Sequence, residues 1–126
     1  MDFSKLRVLV VDDDQKISLV IVRFLKVLGF LVENIIVKTS TKEGWDYLKS
    51  DELLPSVIFT DFRTEEEGKN GYTFLQQIYE EFVGLPVVLM SGGHDLSPEQ
   101  IGEFSAFLSK PYGLKDLKII IQKIFS

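Results

Sequence analysis

The sequence predicts an α/β fold: a doubly wound, five-stranded parallel sheet with helices on both faces. Two observations predict it. Short apolar runs recur along the chain, and the first of them, at Leu6–Val11, is valine-rich and broken only by Arg7, as suits a strand buried on both sides. Amphipathic segments separate the runs in regular alternation. Successive parallel strands need crossover helices, and right-handed crossovers put those helices on both faces of the sheet.

The elements follow in order. After Leu6–Val11, the acids Asp12–Asp14 cap a helix from about Gln15 to Leu28, and Gly29 is its C-terminal stop. Ile17, Val20, Ile21, Phe24, Leu25 and Leu28 form its expected buried stripe. Leu31–Val37 reads as a second, more polar strand. Ser40 with Glu43 gives a capping-box signature for a helix ending near Ser50, with Trp45 and Leu48 pointing inward. Pro55 punctuates before a third strand, Val57–Thr60. Asp61–Asn70 is a polar, acidic loop, and Gly71–Phe82 is helical with Phe74, Leu75 and Ile78 on one face. Pro86 introduces a fourth strand at Val87–Met90, followed by the loop residues Ser91-Gly92-Gly93. Ser97-Pro98 starts a helix that must be short, because a fifth strand is expected at Phe104–Leu108. Lys110-Pro111 ends that strand, and Leu114–Phe125 is the last helix. Its stripe is Leu114, Leu117, Ile120, Ile121 and Ile124, with Ile119 nearly opposite.

Composition narrows the function classes. The 126 residues suffice for one domain, expected to span 1–126, and the 45% hydrophobic content in short blocks argues for a globular chain. The absence of cysteine removes thiol catalysis, disulfides and Cys-based zinc sites. A net charge of −5 argues against a general nucleic-acid surface. The N-terminus lacks the apolar core of a signal peptide, and no run is long enough to span a membrane. The default expectation is a cytoplasmic protein. His94 stands alone in a loop and is read as exposed and incidental.

In doubly wound sheets, ligands bind at the carboxyl ends of the strands. Asp12, Asp13 and Asp14 follow the first strand, Asp61 the third, Ser91 the fourth and Lys110 the fifth. Each residue alone has an ordinary structural use, as a cap, turn former or boundary. Together on one rim they make a chemical set. Three carboxylates brought to about 4 Å repel by roughly 4 kcal/mol per pair at an effective dielectric of 20, so the arrangement calls for a cation. An all-oxygen site suits Mg²⁺. A carboxylate beside such an ion can attack phosphorus, while an ammonium and a hydroxyl balance the charge on the phosphoryl oxygens.

This set, carried by LVVDDD (Leu9–Asp14), VIFTD (Val57–Asp61), PVVLMSG (Pro86–Gly92) and FLSKP (Phe107–Pro111), resembles the receiver domains of two-component response regulators, of the single-domain chemotaxis type. The resemblance covers essentially the whole chain. It implies the flavodoxin-like strand order 2-1-3-4-5. It implies Asp12 and Asp13 as the Mg²⁺-holding acids, Asp61 as phosphoacceptor and Mg²⁺ ligand, Ser91 as switch hydroxyl and Lys110 as the phosphoryl-contacting lysine. Phe107 matches the aromatic that changes rotamer on activation, and Arg63 sits where the family offers a backbone carbonyl to the metal. The implied partners are a histidine kinase or histidine phosphotransfer protein and a downstream protein, in a monomer or a weak phosphorylation-dependent homodimer. Ile119 and Tyr112 are the candidate partner contacts.

Three departures stand out. The loop after Asp61, FRTEEEGKNG, is longer than the family's and has no Met-Pro, with Asn70-Gly71 in place of Asp-Gly. Its Glu65–Glu67 run reads either as a solvated loop or as charge that tunes phosphate and metal affinity. The Ser91–Lys110 segment is shorter than usual. Arg63 puts a long cation near the acceptor, where pairing with the phosphoryl group or with the Glu run would tune phosphoryl lifetime. Two other function classes remain open at this point. One is a degenerate receiver acting as a phosphorylation-independent docking module. The other is a small aspartate-nucleophile phosphatase of the haloacid-dehalogenase type, which fits less well because Asp61-Phe62-Arg63 lacks that family's second acid.

Overall fold

The computed structural model describes residues 2–50, 53–63, 70–92 and 96–126. Five parallel strands, β1 (Val8–Val11), β2 (Ile35–Lys38), β3 (Val57–Asp61), β4 (Val87–Ser91) and β5 (Ala106–Ser109), form one sheet in the order β2-β1-β3-β4-β5. The helices are α1 (Gln15–Leu28), α2 (Thr41–Lys49), α3 (Gly71–Glu81), α4 (Pro98–Ile101) and α5 (Leu114–Phe125). The fold is the expected doubly wound α/β sheet. None of these helices is long and apolar enough to cross a membrane.

β1 is buried at every position, and β3 and β4 are flanked by strands on both edges, so their side chains alternate between two dry cores. Val8, Val10, Val57, Phe59, Val88, Met90 and Leu108 join α1 and α5 on one side. Leu9, Val11, Ile58, Val87 and Leu89 join α2 and α3, with Phe104, on the other. α2 approaches the sheet closely because its inward positions are small: Thr41 and Gly44 are buried beside Leu48.

Caps set the helix ends. Asp14 accepts hydrogen bonds from the backbone of Lys16 and Ile17, and Gly29 closes α1 in the left-handed region at φ 111°. Ser40 caps α2 through Glu43 N, but the Glu43 carboxylate reaches back to Thr39, so the expected box engages the residue before the cap. Asn70 and Thr73 make a complete capping box on α3, and Ser97 and Gln100 make one on α4.

Some expectations shift: the first strand begins at Val8 rather than Leu6, and Asp61 and Ser91, expected in loops, end β3 and β4. Leu31–Val37 is not all strand: Val32–Asn34 forms a 3-10 turn, and pairing with β1 starts at Ile35. The fifth strand begins at Ala106, because the chain leaving α4 still turns through Phe104. Val20 is 43% exposed while Ser18 is buried. Ile21 and Leu25 centre the buried face of α1, and Val20 lies about 100° away from Ile21, at its rim. Trp45 is only half-buried, meeting Phe82 edge-on at 5.8 Å between ring centroids. The expectations for Glu65–Glu67 and His94 fall outside the described residues.

Candidate functional site

The strand ends bring the acids together. Asp12 follows β1, and Asp61 is the last residue of β3, in the alternation that places Val10 and Phe59 on the α1/α5 side. Asp12, Asp13 and Asp61 each place a carboxylate oxygen within 4.8 Å of the others. Asp14, next in line, serves the helix instead, as the cap of α1.

Lys110 closes the cluster. The residue lies just past β5, where its N–H donates to the Ser91 carbonyl at 2.9 Å. Its ammonium donates to Asp61 Oδ1 at 2.9 Å and stands 3.6 Å from Asp12 Oδ2, beyond hydrogen-bond range. The Asp12 side chain is fully buried. Oδ1 accepts from Asp14 N at 2.8 Å, and Oδ2 has no hydrogen-bond partner.

The electrostatics follow from this crowding. Burial raises the Asp12 carboxyl above the ordinary range, against the Asp14 amide that favours the charge, and the negative charge of Asp61 adds to the rise. Burial likewise raises Asp61, although the Lys110 hydrogen bond opposes it. Burial pulls Lys110 down, but the hydrogen bond and charge of Asp61, with Asp12 behind it, prevail and hold the ammonium above its usual value. One lysine therefore leaves the acid cluster short of positive charge.

That shortfall is the test of fit for a cation, and the residues pass it. The donor set is all oxygen, the carboxylates converge, and one buried carboxylate oxygen lacks a partner. Asp12, Asp13 and Asp61 would hold Mg²⁺.

The other expected residues are placed as follows. Ser91 ends β4, is buried, and pairs with Ser109. The strand alternation puts it on the same side as Leu89, where half-buried Phe107 also packs, opposite the Asp61 side. The Arg63 side chain is exposed. Ile119 is 55% exposed on α5. Tyr112 is turned inward: its ring meets Phe24 edge-on, and its hydroxyl contacts Met90 Sδ at 3.7 Å. Burial, with the charges of Asp12 and Asp61, pushes its phenol well above the usual tyrosine value. It forms one wall of an apolar cleft of about 390 Å³ beside Lys110, with Lys16, Ile17, Val20 and Pro111.

Two backbone supports escaped the sequence reading. Thr60 Oγ1 donates to the Asp61 carbonyl at 3.0 Å, and Gly71 N donates to the Phe62 carbonyl at 2.7 Å. The Asn70-Gly71 pair was the available signal, since asparagine caps helices and glycine permits close backbone approach.

A family model for the response regulator receiver domain matches residues 8–122. The chain belongs to that family. Solved structures share the fold of this receiver. A receiver domain protein from Clostridium thermocellum is 23% identical with a TM-score of 0.80, over 94% of this chain and 93% of its own. A chemotaxis response regulator of Vibrio cholerae is 19% identical with a TM-score of 0.78, over 94% and 98%. An uncharacterised protein from Neptuniibacter caesariensis is 26% identical with a TM-score of 0.83, over 98% and 90%. No curated protein matches the chain. Receiver domains are phosphoacceptor signalling domains, and neither the phosphatase nor the docking-module alternative is favoured for this receiver.

Proposed function

We propose that this receiver accepts a phosphoryl group on Asp61 from a histidine kinase or a histidine phosphotransfer protein, and thereby switches a protein–protein interaction. The observation that carries the reading is the Lys110–Asp61–Asp12 arrangement: the Asp61 carboxylate held by an ammonium at 2.9 Å, beside a buried Asp12 oxygen without a hydrogen-bond partner.

In the proposed step an Asp61 carboxylate oxygen attacks phosphorus, the acyl–phosphate bond forms, and the phosphorus–nitrogen bond of the donor phosphohistidine breaks. The histidine leaves with the electron pair and takes up a proton. Asp12, Asp13 and Asp61, with the backbone carbonyl of Arg63 as the expected further ligand, would hold Mg²⁺, which would supply positive charge to the phosphoryl oxygens. Lys110 shifts from the carboxylate to the transferred group and neutralises charge as it develops. Ser91 starts on the side of the sheet away from Asp61, so it would have to swing over the strand ends to donate its hydroxyl to a phosphoryl oxygen, and Phe107, on its own side, would repack behind it. The apolar cleft beside Lys110 supports docking of a donor protein there. Exposed Ile119, on the last helix, is the proposed contact for the downstream partner or a second copy, and Tyr112 lends its ring to the donor cleft.

The test is incubation with a small acyl-phosphate donor and Mg²⁺, followed by intact-mass measurement. One acid-stable, base-labile phosphoryl group is expected, absent without Mg²⁺ and absent in Asp61→Asn. No adduct under conditions that label other receivers would falsify the proposal.

A further inference from the structure

Between Asp61 and α3 the chain leaves and returns at one point, where Phe62 and Gly71 meet. Gly71 N donates to the Phe62 carbonyl at 2.7 Å, so the excursion begins and closes on one hydrogen bond immediately after the acceptor. The contact is tight. A Cβ at Gly71 would lie 2.6 Å from the Asp61 carbonyl oxygen and 3.1 Å from Phe62 Cα. Both obstacles are backbone, so no side chain can swing aside to admit it. From the other direction Thr60 Oγ1 donates to the same Asp61 carbonyl at 3.0 Å. α3 itself is anchored independently: Asn70 and Thr73 cap it, and Phe74, Leu75 and Ile78 fix it in the core. The glycine therefore presents a fixed helix end against the peptide that carries the acceptor.

Resting on the phosphoacceptor reading above, we propose that Gly71 is a positioning residue for Asp61, and that the Phe62–Gly71 neck insulates the acceptor from the length and sequence of the loop between them. Changes inside residues 64–69 leave the carboxylate where it is, because the Phe62–Gly71 hydrogen bond ties the chain down directly after Asp61. A side chain at 71 pushes the Asp61–Phe62 peptide away from α3 and tilts the carboxylate off both the metal position and Lys110.

The experiment compares three variants with the wild type: Gly71→Ala, an insertion of Gly-Ser between Glu66 and Glu67, and Ile78→Val, which loosens α3 in the core without touching Asp61. Mg²⁺ affinity is read by calorimetry, phosphorylation rate with a small acyl phosphate, and backbone amide shifts by NMR in the Mg²⁺-free protein. Gly71→Ala is expected to weaken Mg²⁺ binding about 10–100-fold, as loss of support behind a ligand does. Its phosphorylation rate is expected to fall about 100-fold, in line with a displacement near 1 Å. The insertion and Ile78→Val keep wild-type affinity and rate, whatever they do to melting temperature. If Gly71→Ala does not fold, the insertion variant alone decides: a loss of Mg²⁺ affinity or of rate overturns the insulation. Wild-type affinity and rate in folded Gly71→Ala overturn the positioning role. A wild-type protein that binds no Mg²⁺ and takes no phosphoryl group sinks the phosphoacceptor reading instead. The neck is then judged by the Asp61 and Phe62 amide shifts, which Gly71→Ala must move and the insertion must not.

Discussion

Lys110 and Asp61 touch, yet they contribute to folding with opposite signs. Asp61 carries a carboxyl raised by burial despite its lysine, so its ionised form is a net cost in the Mg²⁺-free fold. Lys110 is raised in spite of burial, so its charge is a net gain. Two outcomes follow at neutral pH without Mg²⁺. Asp61→Asn keeps the shape, removes a like charge from the cluster and raises the urea midpoint. Lys110→Met keeps much of the stem, leaves the Asp61 and Asp12 carboxylates uncompensated and lowers stability by about 1–3 kcal/mol. Urea titration of both variants checks the signs, and two shifts in the same direction would contradict the account. The residues in this pair were legible in the sequence because strand alternation and the carboxyl-end rule fix where a polar residue after an apolar run must lie. Tyr112 was not. Its inward turn depends on Phe24 and Met90, which belong to distant elements and carry no local signal. The Gly71 contact left a single signal, the glycine itself, which permits a close backbone approach but does not say which backbone it meets.

At the scale of elements, α4 is the weak point. Pro98–Ile101 is a single turn, far below the length at which a helix holds itself. Local capping and long-range tethers hold it instead. Ser97 accepts from Gln100 N at 3.2 Å, and the Gln100 side chain answers to Ser97 N at 3.0 Å. Beyond its end, the Tyr72 hydroxyl binds the Glu103 carboxylate and the Tyr79 hydroxyl donates to the Glu103 carbonyl at 2.9 Å. Ser97→Ala is expected to cost about 1 kcal/mol and to speed amide exchange at Ile101 and Gly102, whose N–H groups bond back to Ser97 and Pro98. Exchange unchanged at those amides would mean that the tyrosine tethers alone hold the turn. The shortness of α4 was readable from spacing, since Ser97-Pro98 marks its start and an apolar run follows soon after. The starts of β2 and β5 were not. Leu31 and Val32 are apolar but 42% and 56% exposed in a turn, and Phe104 is buried without being strand. A short apolar run reports a tendency to burial, and only pairing with a neighbour decides which of its residues join a sheet.

For the whole molecule, the acid cluster makes stability depend on pH and on Mg²⁺ together. Asp12 and Asp61 both have raised carboxyls, so at mildly acidic pH the folded protein holds protons that the unfolded chain has released. Their contribution to stability is fully present below the unfolded carboxylate range, about pH 4, and is lost as pH rises through the raised folded values. Lys110 has the same sign in a different window: its contribution persists through neutrality and is lost only as pH climbs past its raised value, above the ordinary lysine range. Mg²⁺ held by the ionised cluster would compete with those protons. It would therefore restore what the rise in pH removes. At a concentration about 100 times its dissociation constant it adds about 2.7 kcal/mol, a melting shift on the order of 10 °C for a chain of this size. The expected result is a Mg²⁺-induced gain in melting temperature that is absent near pH 4 and grows to a plateau by neutrality. The gain disappears at all pH values in Asp12→Asn, where the buried oxygen without a hydrogen-bond partner no longer carries charge. Thermal scans from pH 4 to 8, with and without Mg²⁺, measure both. A gain that is flat with pH, or that survives Asp12→Asn, would place the ion on other residues and leave the carboxylate crowding at this rim without its counter-charge.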